Sequence, residues 1–139
     1  MGFVFGAFAL LGFSALRLLR MKAQNVRRIN EANPKLQAAV KQAKDTLPEF
    51  EKSLIAADPG SRFAIKGTFF TTSGQEYLWV KDPVLKDHNF TGILDQIPIA
   101  FKGSAKGDPV VVRESDVVDW LVHNSTGDRG GFTEKALGK

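Results

Sequence analysis

His88 and His123 are the only histidines in this 139-residue chain, and they bound its acid–base and metal chemistry. Glu76, Asp87, Asp116 and Asp119 are the carboxylates that could join them. A metal site recognisable from sequence needs donors at a set spacing, and neither histidine has a second ligand at one. His88 falls in Lys86-Asp87-His88-Asn89, a polar turn in which solvent exposure is expected. There is no cysteine, which removes disulfides and thiolate ligands. No serine or threonine sits in a nucleophile-elbow pattern. Gly103 to Gly107 lacks the spacing and the Lys-Ser/Thr ending of a phosphate loop. The expectation is a protein with no catalytic residue, no metal and no cofactor. A hydrolase would need Glu76, His88 and Asp119 to converge within hydrogen-bond reach in one pocket.

Two acid–tryptophan pairs carry more information. Asp119 adjoins Trp120, and Glu76 precedes Trp79 by three residues. An indole buries a large area and offers one N–H donor, so a nearby acid can accept that bond or anchor a turn. One alternative makes these pairs part of the core and its corners. The other assembles Trp79, Asp119, Trp120, Gly130, Gly131 and Thr133 into a protein-binding groove, where the paired glycines let a partner backbone come close.

Elements must position these residues. Asn33-Pro34 reads as an N-cap followed by a first-turn proline. Leu36, Val40, Ala43, Leu47, Phe50 and Leu54 then form one apolar stripe at helical spacing. Pro48 predicts a kink, with Thr46 and Glu49 at capping-box spacing for a restart, giving helices over 34–45 and 47–56. Alternation over 63–70 and 75–81, separated by Thr71 to Gly74, predicts a hairpin that stops at Asp82-Pro83. Residues 89–94 read as a strand with a bend or bulge at Gly92, 97–99 as an edge strand, and 109–113 as a further strand. Residues 117–123 favour strand, 124–131 loop, and Phe132-Thr133 a final sheet contact. The fold class expected is α+β, with an N-terminal transmembrane helix, an amphipathic helix kinked near Pro48 and a small curled antiparallel sheet or half-open barrel.

The transmembrane expectation comes from residues 2–16, which hold no charge and one polar side chain, Ser14. Fifteen helical residues span about 22 Å against a hydrocarbon core of roughly 30 Å, and Leu18, Leu19 and Met21 extend the run. Gly2, Gly6, Ala7 and Gly12 offer a small-residue face for another membrane helix. Arg17, Arg20, Arg27 and Arg28 follow it, placed to meet lipid headgroups. Basic residues behind the apolar run keep that flank inside the cell, with the N-terminus outside. The expected plan is an anchor over 1–21, a basic connector over 22–33 and a soluble domain over 34–139, at the cytoplasmic face of the inner membrane. Net charge is +4, but residues 1–30 carry five basic side chains and no acid, so the rest is close to neutral. That distribution argues against a nucleic-acid partner, which calls for basic residues spread over the folded surface.

The soluble part resembles a bacterial family, domain of unknown function 2314. The likeness runs through AxxQAKDTLPEF (Ala39 to Phe50), FAIKGTF (Phe63 to Phe69), EYLWV (Glu76 to Val80), FTGIL (Phe90 to Leu94), KGDPVVV (Lys106 to Val112), Asp119-Trp120 and GGFT (Gly130 to Thr133). The family often has His after the Glu of the EYLWV piece, where Tyr77 stands here, which weakens a chemical role for that position. The resemblance implies a fold unit and no activity. The leading functional expectation is a non-catalytic accessory subunit of a membrane complex, with the bilayer and a membrane helix as partners and no small-molecule substrate. The alternatives are a membrane-tethered recognition or immunity-type module and a small hydrolase.

Overall fold

The computed structural model describes residues 33–138. Helix α1 (Pro34–Ala56) is followed by β1 (Arg62–Thr71), β2 (Gly74–Lys86), β3 (Asn89–Leu94) and β4 (Pro109–Arg113). A single 3₁₀ turn (Glu114–Asp116) leads to β5 (Val117–Asn124), β6 (Gly127–Gly130) and a short helix α2 (Phe132–Ala136). The strands form one sheet in the order β4-β3-β2-β1-β5-β6, and every pairing is antiparallel.

Asn33 Oδ1 accepts from Lys35 N at 2.8 Å and starts α1. The helix buries Leu36, Ala39, Ala43, Leu47 and Phe50. Phe50 lies 5.5 Å from Trp120 and 6.0 Å from Phe63, ring centre to ring centre. On the sheet, Trp120, Ile65, Val80 and Leu94 stand in one cross-strand row beneath it. These residues and their neighbours make a single core between α1 and one sheet face.

The sheet is open in its pairing but strongly curled. A Cβ placed on Gly67 of β1 would lie 2.7 Å from Val112 Cγ2 of β4, although β2 and β3 separate the two strands. Flat strands about 4.8 Å apart could not meet across that interval. Gly67 therefore has to be glycine for the curl to close this far.

Several expectations need correction. Among the described residues no helix is long and apolar enough to cross a membrane. The one long helix, α1, exposes Lys35, Lys41, Lys44, Asp45 and Glu49 along its outer face. The anchor over 1–21 and the connector up to residue 32 lie outside the described residues, as do Gly2, Gly6, Ala7, Gly12, Arg17, Arg20, Arg27 and Arg28. Among the described residues the architecture is thus a long helix, a six-stranded antiparallel sheet and a short helix.

Pro48 does not break α1. Thr46 caps nothing; its hydroxyl donates to Gln42 O at 2.7 Å inside the helix and accepts from Trp120 Nε1 at 3.0 Å. Buried Leu47 and Phe50 hold the helix on the sheet across the missing hydrogen bond, so packing overrides local preference. β2 runs through Asp82-Pro83, because a bulge between Lys81 and Val84 absorbs them with Asp82 at φ 53°. Residues 97–99 are loop, β6 replaces part of an expected loop, and Phe132-Thr133 begin a helix.

Candidate functional site

β5 extends beyond β6, which pairs only with residues 121–124. The uncovered part of β5 is sealed by α2, and Asp119 holds it there. Its Oδ1 accepts from Trp120 N at 2.8 Å and Phe132 N at 3.1 Å. Its Oδ2 accepts from Thr133 N at 2.9 Å and Thr133 Oγ1 at 2.5 Å. Asp119 thereby caps the first turn of α2 from a distant strand, since the residue before that helix is Gly131 and has no side chain to do so. Gly131 adopts φ 67°. Gly130 is required for a different reason: a Cβ there would sit 2.2 Å from Trp120 O.

Lys66 stands directly across from both Asp119 and Trp79, on the sheet face away from α1. Its ammonium donates to Thr133 Oγ1 and Glu134 Oε2, both at 2.9 Å, and lies 5.2 Å from the Trp79 ring centre. Trp79 Nε1 donates to Glu134 Oε2 at 3.3 Å. Complete burial raises the Asp119 pKa, while Lys66 and the Thr133 donors pull it back. A threonine between a lysine and an aspartate resembles a nucleophile with its base. The hydrogen bonds argue otherwise. Lys66 Nζ is held between Thr133, Glu134 and the Trp79 ring, and Thr133 is 3 % exposed, so its hydroxyl is closed off from solvent.

The structure thus brings Asp119, Trp120, Gly130, Gly131 and Thr133 together and links Trp79 to them through Lys66 and Glu134. It does not leave them as a groove. Trp79, Asp119, Trp120 and Thr133 are all buried and form a polar lock. Nor do the three groups of a hydrolase converge. Glu76, on the opposite sheet face, accepts from Ile99 N, Ala100 N and Phe101 N at 2.8–3.0 Å and pins that loop. His88 pairs with Glu114 at 2.9 Å in the β2–β3 turn, and His123 pairs with Asp128. Among the described residues no group of three such side chains could hold a metal ion.

A surface feature lies elsewhere. β5 pairs with β1 only as far as Gly67, so one edge of residues 68–71 has no strand beside it among the described residues. The outer edge of β4 is likewise unpaired. The curl turns these two free edges toward one groove of about 500 Å³. Thr68, Phe69 and Phe70 line one wall, Pro109 to Val112 the other, and Phe101 contributes from the loop held by Glu76. Phe70 is 54 % and Val111 63 % exposed, large values for apolar side chains beside each other's strands. At the apex Thr68 Oγ1 donates to Asp116 O at 2.9 Å, and Arg113 Nε donates to Asp116 Oδ2 at 3.1 Å.

The family model described as "Uncharacterized protein conserved in bacteria (DUF2314)" matches residues 33–139. The chain belongs to this family. No curated protein and no solved structure matches it. In this DUF2314 domain the Asp119-Trp120 and GGFT pieces are two halves of one lock. Sequence reasoning found that lock's members but missed Lys66 and Glu134, whose partners lie 67 and 68 residues away for Lys66 alone. It also missed the groove, for which the run Pro109-Val110-Val111-Val112 was the available signal: consecutive valines on a strand with only one neighbour.

Proposed function

We propose that this domain is a non-catalytic recognition module that takes an extended segment of a partner protein into the gap between β1 and β4. The observation that carries the reading is the pair of unpaired strand edges facing one groove. An inserted strand could hydrogen-bond to either edge while setting alternate side chains against Phe70, Phe101 and Val111. The groove's volume falls in the ordinary range for ligand sites, about 300–1,000 Å³. An accessory subunit and a recognition module make the same use of such a surface. The membrane attachment expected of residues 1–21 plays no part in it.

A photo-crosslinking side chain placed at Val111 or Phe70, in the native host, tests this reading. Discrete adducts with one protein are expected at 111 and 70, and none from the same probe at Asp128 on β6. Equal labelling at 128, or no adduct at 111 and 70, would defeat the proposal.

A further inference from the structure

One buried oxygen is out of place. Glu51 Oε2 is sealed from solvent and, among the described residues, is the one buried side-chain polar atom without a hydrogen-bond partner. Its carboxyl lies within hydrogen-bonding reach of Glu114, the first residue of the 3₁₀ turn after β4. Two ionised carboxylates can only accept, so they repel. One shared proton converts the pair into a donor and an acceptor. His88 Nδ1 meets Glu114 Oε1 at 2.9 Å from the β2–β3 turn, and Glu114 N donates to His88 O at 2.8 Å. Three elements, α1, the β2–β3 turn and the β4–β5 turn, therefore join at one carboxyl pair.

We propose that Glu51, Glu114 and His88 form a proton-held latch that fastens α1 to the turn at the apex of the β1–β4 gap. The groups facing Glu51 are Glu114 from the β4–β5 turn and His88, with Asp87 beside it, from the β2–β3 turn. Lys44, two turns earlier on α1, donates to Ser115 O and Val117 O at 2.9 and 3.0 Å and holds the same turn.

The chemistry of each group runs the same way. Burial, then the bond to Glu114, raises Glu51 to about 7. Bonds from Glu51 and His88 lower Glu114, and the Glu114 carboxylate raises His88. A carboxyl raised in the folded state stabilises fully below its unfolded pKa and loses that contribution as pH climbs through the folded value. His88, also raised, loses its contribution in the same direction. Near pH 6 the latch holds a protonated Glu51, an ionised Glu114 and a charged His88. As pH climbs through about 7 the shared proton leaves, the raised His88 loses its charge in the same direction, and α1 loosens from the turn. The latch stands by itself; only its effect on a strand entering the gap rests on the function proposed above.

The test uses the full chain with ¹³C-labelled carboxyls. Glu51 is expected to titrate near 7 with a coupled response at Glu114. Amide exchange at 114–117 should accelerate between pH 6 and 8 beyond the intrinsic base-catalysed rise. In Glu51→Gln, whose amide can donate permanently to Glu114, that excess should vanish while the fold is kept. A Glu51 midpoint below 5 in the unaltered chain would overturn the latch, as would excess exchange undiminished in Glu51→Gln. Neither result depends on a partner, so the crosslinking outcome above remains separate.

Discussion

At one side the sheet ends in β6, four residues long, carrying Asp128 and Arg129. Arg129 reaches back to Glu49 at 3.3 Å and Ser53 at 2.9 Å on α1, and α2 plugs the stretch of β5 that β6 leaves bare. At the other side it ends in β4, whose centre is three valines with charge and proline only at its ends. Short length, charge and a covering helix are the usual means of keeping a strand edge from pairing with another chain. The β6 side uses all of them; β4 is one residue longer and has Pro109 and Arg113 at its ends, but its centre is uncharged and, among the described residues, no helix covers it. The proposed recognition of an extended segment rests on this open edge beside an apolar groove.

The sharpest way to break the contrast is to open the sealed side. Asp119→Asn places an amide against backbone donors and strips Lys66 of a counter-charge. Removing one partner of a buried charged network costs about 3–5 kcal/mol. Urea unfolding should show a loss of that size, with early loss of exchange protection in α2. A loss below about 1 kcal/mol would mean that Asp119 does not hold that side closed.

Next in size, Gly130→Ala drives a methyl into Trp120 O and should cost about 3 kcal/mol, within the range for strained backbone positions. Gly131→Ala meets only Leu121 Cδ1 at 3.5 Å and bears the left-handed penalty alone, about 1 kcal/mol. Equal losses in thermal melts would remove the close approach as the reason for the first glycine.

On the open side, Val111→Lys should change stability by less than about 0.5 kcal/mol, as an exposed substitution does. It should nonetheless abolish the crosslink from Phe70. A large loss of stability would show that Val111 is core and the contrast false. The smallest effect is that of pH: melting temperature should fall from pH 5 to pH 8 as Glu51 and His88 release protons, and the fall should be shallower in Glu51→Gln.

Where the physics was local, the residues announced it. Asn33-Pro34 marks the helix start, the apolar stripe from Leu36 to Phe50 marks its buried face, and Thr72-Ser73 turns the β1–β2 hairpin. The sequence also drew attention to Asp119, Trp120 and the glycine pair. It could not say whether they face inward or outward, because an acid beside a tryptophan suits a core corner and a groove equally. Pro48 and Asp82-Pro83 misled for a complementary reason. Their local penalties are real, but buried Leu47 and Phe50 outweigh one, and a bulge accommodates the other.

The chain's own periodicities determined, over the described residues, the helix-on-sheet core and the strand count to within one or two. Only tertiary structure decided that the acid–tryptophan pair would be sealed and that two free edges would face each other. Those outcomes depend on how far β5 runs along β1 and how tightly the sheet coils at Gly67. Both arise from pairings between residues tens of positions apart, which no window of sequence contains.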